Sequence, residues 1–274
     1  MQLQRIRLIY FSATDTTKTT VRRIGQMLSQ QLSIPVQEDD FTLPAAREQE
    51  IACSEEELAV IGVPVYAGRI PNKLLPYVSG RIHGSRTPAV PVVLFGNRAY
   101  DDALIELRDV MERNGFRCIA GAAFVGEHSF SYTLGAGRPD AEDLLVADQF
   151  ARRIAQQVSR METLPEKPVE VKGNPELRPY YAPKNAREYL KVKPVVGDAC
   201  TGCGTCAALC PMGSIDPQDI RQYLGPCIKC GACIKKCPRQ ARYFDDPVYL
   251  QHKQELETKF TRRAEVEVFL PSDA

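Results

Sequence analysis

The sequence predicts an α/β chain in two parts: an open, doubly wound parallel sheet covered by helices, then a small α+β unit held together through cysteine. Three observations carry that expectation. Short apolar runs of strand type alternate with amphipathic stretches over residues 3 to 125. Three of these runs are nearly unbroken, as in strands buried on both faces. Eight of the 10 cysteines fall in two runs near the C-terminus.

Taken in order, "LQRIRLIYF" reads as the first strand, and "TTKTTVRRIGQMLSQQL" as a helix with Val21, Ile24, Met27 and Leu28 on one face. "IPVQEDD" is the second strand. "LAVIGVPV", "AVPVVLFG" and "CIAGAAFVG" are the buried ones. Between and after them lie three helical stretches: "PNKLLPYVSGRI", "DDALIELRDVMERNG" closed by Gly115, and "DAEDLLVADQFARRIAQQVSRM". This alternation fills residues 1–160 and puts any ligand at the carboxyl ends of the strands. Residues 161–196 are rich in proline and charge and read as a wrapping linker that Tyr180, Tyr181 and Tyr189 pack down. Residues 197–247 carry the cysteine runs, and 248–274 read as a short helix and an apolar tail that docks back.

Composition narrows the function. Across 274 residues, 44% hydrophobic and 25% charged content is ordinary for globular domains, and the formal charge of +1 offers no electrostatic footprint for nucleic acid. The N-terminus has no signal-type apolar core, and no apolar run is long enough to span a membrane. A cytoplasmic protein is therefore expected. In that reducing compartment clustered cysteine points to metal or redox chemistry rather than disulfides.

"CTGCGTCAALCP" at 200–211 and "CIKCGACIKKCP" at 227–238 share the spacing CxxCxxCxxxCP, the second beginning 27 residues after the first. Three thiolates at that interval surround one 4Fe-4S cube, while the cysteine before proline reaches the other cube. By that rule one cluster takes Cys200, Cys203, Cys206 and Cys237, and the other Cys227, Cys230, Cys233 and Cys210. Zinc is the competing reading, but it favours paired CxxC arms and has no use for the third cysteine. Cys53 and Cys118 lie outside both runs and read as buried apolar side chains.

Both runs resemble those of bacterial two-cluster ferredoxins, which implies short hairpins and helices around two cubanes. Toward the N-terminus, "YFSATDTTK" sits where a strand hands over to a helix, a place with free amide donors and a positive dipole end. It resembles the phosphate loop of flavodoxins, S/T-x-T-G-x-T, read here as Ser12, Ala13, Thr14, Asp15, Thr16 and Thr17. Asp15 stands where that pattern has glycine, and its side chain is expected to point outward. The resemblance implies FMN, with two further loops: Pro64, Val65, Tyr66, Ala67, Gly68 and Arg69 after the third strand, and Gly96, Asn97, Arg98 and Tyr100 after the fourth. It assigns Tyr66 and Tyr100 to cover the ring, Gly68 to offer a carbonyl, Asn97 to bond the pyrimidine edge, and Arg69 and Arg98 to steady the reduced ring. His128, in the loop after the fifth strand, is a candidate proton donor, weighed against a packing role. Arg138 is expected to cap a neighbouring loop or to contact the cysteine-bearing domain.

End to end, the chain is similar to flavodoxin-ferredoxin fusions of anaerobic bacteria and archaea. That implies a flavodoxin-like doubly wound sheet joined to a two-cluster 4Fe-4S ferredoxin domain. The expected function is electron transfer between FMN and the clusters, serving other redox proteins. The alternative is an FMN and iron-sulfur reductase acting on a small acceptor. A cluster-based sensor or scaffold is the third and weakest reading. The expectation leaves room for a homodimer.

Overall fold

In the computed structural model, residues 2–182 and 186–271 are described; residues 183–185 of the expected linker and 272–274 of the tail lie outside them. The first domain alternates strand and helix: β1 Arg5–Tyr10, α1 Thr16–Leu32, β2 Val36–Asp40, β3 Glu57–Pro64, α2 Leu75–Arg81, β4 Thr87–Phe95, α3 Ala103–Arg113, β5 Gly121–Val125 and α4 Ala141–Arg160. The strands are parallel in the order β2-β1-β3-β4-β5. This is the flavodoxin-like order, with its switch point between β1 and β3.

Why these segments form a sheet is visible in their burial. Every residue of β4 is buried, as is β3 up to Pro64, because helices cover both faces. On one side Ile6, Leu8 and Tyr10 pack against Val21, Ile24 and Leu28 of α1 and Phe150 and Ile154 of α4. On the other, Ile9, Phe11, Ile61 and Val63 meet Leu104 and Leu107 of α3. Cys53 and Cys118 are buried in this second layer, as their apolar reading expects. Helix α4 opens with a capping box in which Asp140 accepts from the amides of Glu142 and Asp143.

Residues 164–181 cross the face of this domain and are tied down at intervals. Val169 N donates to Cys118 O at 2.8 Å and Tyr181 N to Ala67 O at 2.9 Å. The Arg178 guanidinium meets the fully buried Asp102 at 2.8 Å. Tyr180 donates to Ile70 O at 2.9 Å, with the Arg69 guanidinium 4.9 Å over its ring.

The cysteine module repeats itself. The single helical turns Thr205–Ala208 and Ala232–Lys235 each follow a glycine with positive φ, Gly204 at 74° and Gly231 at 76°. A two-stranded ribbon of Val195–Val196 and Arg242–Tyr243 closes its ends. The chain then runs back through α5 Pro247–Lys259 to β6 Glu267–Phe269, which pairs antiparallel with β5. β6 covers the outer edge of β5 that would otherwise lie open. The tail docks back as a strand, a pairing the sequence reading did not specify, and the short parallel pair Ile51–Cys53 with Ile82–Gly84 went unforeseen.

Candidate electron-transfer site

Eight thiols line two spaces. Cys200, Cys203, Cys206 and Cys237 surround one of about 330 Å³, and Cys210, Cys227, Cys230 and Cys233 another of about 390 Å³. In each set the fourth thiol, Cys237 or Cys210, comes from the other run. Among the described residues no three His, Cys, Asp or Glu side chains converge on a point as a single ion requires. The thiols stand around volumes instead. Backbone amides point at the sulfurs: Ser214 N at 3.3 Å from Cys210, Lys229 N at 3.4 Å from Cys227 and Ala241 N at 3.3 Å from Cys237. Such bonds stabilise negative charge on sulfur and raise a cluster's potential.

The two sets differ in exposure. Burial pushes the thiols of Cys227 and Cys230 up and that of Cys233 up to about 12, so these groups ionise only beside compensating positive charge, which iron provides. Cys203 is exposed, and its thiol is lowered by hydrogen bonding to Thr205. The Cys200 set therefore faces solvent, while the Cys210 set faces the first domain.

At the carboxyl ends of β1, β3, β4 and β5 lies an open cavity. Its lining joins Ala13, Thr14, Thr16 and Thr17 to Pro64, Val65 and Tyr66, to Gly96, and to Gly126, Glu127, His128 and Ser129. At the hydroxyl-rich end, the first amides of α1 have no intrahelical acceptor and the helix dipole is positive, which suits a phosphate. Ser12 is buried and holds the loop, its Oγ accepting from Lys18 N at 3.0 Å. Asp15 takes a left-handed φ of 67°, and its carboxylate points out of the cavity to Lys236 Nζ at 2.9 Å. The apolar end, with Val65, Tyr66 and Leu94, suits an aromatic ring. These residues fit FMN.

Several expected ring contacts are engaged elsewhere. Asn97 donates to Phe260 O and Arg262 O at 2.7 and 2.9 Å and accepts from Ala264 N at 3.0 Å, so its amide holds the C-terminal tail and is not free for a pyrimidine edge. Tyr100 is buried against Phe95 and donates to Glu267 at 2.8 Å, so it does not cover the cavity. The Gly68 carbonyl accepts from Asp102 N at 3.1 Å, and Ala67 O from Tyr181 N. Arg69 is paired with the buried Glu106, and Arg98 with Asp101 beneath the Tyr181 ring, so neither faces the pocket. Arg138 pairs with the buried Asp143 and donates to Ala264 O at 2.7 Å. Of the expected ring-covering groups, Tyr66 alone lines the cavity.

His128 lines the cavity. Burial, followed by the positive charges of Lys235, His252 and Arg98, lowers its imidazole to about 4. Its Nδ1 accepts from Phe130 N at 3.1 Å, which leaves the neutral ring with Nε2–H as a donor.

The residues that join the two halves were not foreseen. Lys235 meets the Glu127 carboxylate and donates to Ser131 O at 2.7 Å. Ile228, Cys230 and Ala232 pack into the same apolar cluster as Val65 and Tyr66. Gly231 faces Ser129 O so closely that a Cβ there would stand 2.6 Å from it. The Tyr66 phenol, raised well above its ordinary value by burial, lies in the field of Cys230 and Cys227. The only signal in the sequence was the lysine pair "KK" before Cys237, whose partners lie more than a hundred residues away.

Comparison with known proteins agrees with this geometry. Residues 199–242 match the family described as 4Fe-4S dicluster domain. A 7Fe ferredoxin of Hydrogenibacillus schlegelii is 35% identical over 60 residues, which cover 21% of this chain and 73% of that one. The class so defined is a ferredoxin-type electron-transfer protein. Through residues 199–242 the chain belongs to the ferredoxins, and the parallel strand order of the first domain is the flavodoxin-like one. Among solved structures, an archaeal flavodoxin overlays 57% of this chain and 100% of its own at 15% identity and a TM-score of 0.39. The flavodoxin of Megasphaera elsdenii overlays 54% and 98% at 13% identity and a TM-score of 0.37. No helix among the described residues is long and apolar enough to cross a membrane.

Proposed function

We propose that the chain carries electrons between a bound FMN and two 4Fe-4S clusters, and between the outer cluster and separate redox proteins. One observation carries the reading: Tyr66 and the 127–129 loop serve both as wall of the strand-end cavity and as seat of the Cys210, Cys227, Cys230 and Cys233 loop. A flavin exchanges one or two electrons and an iron-sulfur cube one, so a chain holding both sorts electrons between the two modes. The hydroxyls of Thr14, Thr16 and Thr17 bind the phosphate, and Val65 and Tyr66 pack on the ring. His128 offers a neutral N–H donor to the cavity. The exposed Cys203 marks the side where a partner protein exchanges electrons.

Protein purified without air should contain about eight irons and release riboflavin phosphate on denaturation. After rapid reduction of the outer cluster, flavin absorbance should change in a phase independent of protein concentration. A phase that scales with concentration would overturn the intramolecular route. Saturable turnover of a small acceptor that collapses in His128→Ala would favour the reductase reading instead.

A further inference from the structure

We propose that the ferredoxin module completes the flavin phosphate site electrostatically: Lys235 and Lys236 cancel the carboxylates of Glu127 and Asp15, making flavin affinity depend on the docked module. This rests on the FMN reading above and deepens it.

A phosphate monoester carries close to two negative charges at neutral pH. The residues lining the cavity include no lysine or arginine to meet it, only hydroxyls, amides and the helix dipole. Lys18, the nearest cation in the loop sequence, lies 3.7 Å from Asp40. Against this weak donor set the first domain places two like charges: Glu127, which lines the cavity, and Asp15, in the middle of the phosphate loop. Alone, that arrangement repels the group it is shaped to hold.

The missing positive charges come from the other domain. Lys235 is nearly buried on Glu127, and Lys236 reaches Asp15 at 2.9 Å. Burial by itself would raise the Glu127 carboxyl, but Lys235 and the Gly137 amide hold it below the usual range, so it stays ionised and requires its counter-charge. Both lysines lie between Cys233 and Cys237, which line different cluster spaces, so their placement follows from the chain path around both. Asp15, where the flavodoxin pattern has glycine, thereby gains a role as the acceptor for the module's cation. Linkage is reciprocal: whatever FMN gains from the docked lysines, docking gains from FMN.

The test is a titration of flavin-stripped, anaerobically cluster-loaded full chain with FMN and, in parallel, with riboflavin, which lacks the phosphate. Iron content is checked for each variant. Lys235→Met should weaken FMN about tenfold and Lys236→Met a few-fold, in keeping with a half-buried and an exposed pair. Riboflavin affinity should not move. The charge-cancelled doubles Lys235→Met/Glu127→Gln and Lys236→Met/Asp15→Asn should return to within about twofold of the parent. Glu127→Gln and Asp15→Asn alone, which leave the lysines in place, should bind FMN more tightly. Doubles as weak as the singles, equal losses for riboflavin, or single carboxylate variants that bind no better would each overturn the proposal. Parent protein that binds neither flavin would instead refute the FMN reading itself.

Discussion

Gly231→Ala tests whether the module is seated on the flavin-side loop, and the repeat supplies its own control. Gly204 occupies the same position in the first run with φ 74°, against 76° for Gly231. An alanine at either pays the same left-handed penalty, about 1–2 kcal/mol. At Gly204 nothing lies within 4 Å of the added Cβ, whereas at Gly231 it meets the Ser129 carbonyl oxygen at 2.6 Å. An ordinary contact starts near 3.4 Å, so the two loops must part by about 0.8 Å. Overpacking of that kind costs about 1–3 kcal/mol. Because 1.4 kcal/mol is a factor of ten, amides of residues 128–134 should exchange hydrogen roughly 5- to 150-fold faster in Gly231→Ala than in the parent. Gly204→Ala should leave them unchanged. Equal protection in both variants would refute the seating.

Three further outcomes follow from particular contacts. Cys210→Ser should disable the cluster of the Cys227 run and Cys237→Ser that of the Cys200 run, read by iron count and electron paramagnetic resonance; loss of each residue's own run would reverse the crossing. Removing Arg138 strips the buried Asp143 of its paired guanidinium and leaves it Arg263 at 3.5 Å, so Arg138→Ala should cost about 3 kcal/mol, or roughly 10 °C in melting temperature. His128 is held at about 4 when folded against 6.5 free, so the unfolded chain binds more protons between those values. Its contribution is full above pH 6.5 and is lost as pH falls toward 4, by about 3 kcal/mol at most; His128→Gln should flatten that part of the stability curve.

What the sequence made legible was what local pattern determines. The strands β3, β4 and β5 announce themselves because two-sided burial leaves no room for polar residues. The CxxCxxCxxxCP spacing anticipates which thiols line each of the two spaces. Asn97 and Tyr100 were misread for the opposite reason. Each stands on a flavin-type loop, yet its partners are Phe260, Arg262, Ala264 and Glu267, brought there only by the returning strand. No local rule tells whether an amide in such a loop meets a ligand or the chain's own tail. Asp15 shows the same limit: its outward side chain is expected from the loop, but its partner Lys236, 221 residues away, is not.

The tethering has a consequence for how charge moves. The module enters beside Ala67, where Tyr181 is bonded, and leaves beside Asn97, which grips the backbone from Phe260 to Ala264. Both fastenings lie on the loops after β3 and β4 that frame the cavity, so both ends are held near the same spot. A module fastened once would sample a wide volume around its seat; fastened twice, it stays at high effective concentration even when the lysine pairs open. The Lys236–Asp15 pair, the more exposed of the two, is weak and screened by salt, the Lys235–Glu127 pair less so. Docking therefore does not need to be tight to be maintained, and the pairs are free to respond to charge in the pocket. Two tethers keep the Cys210, Cys227, Cys230 and Cys233 set beside the strand-end cavity while the ion pairs there respond to the charge the cavity holds.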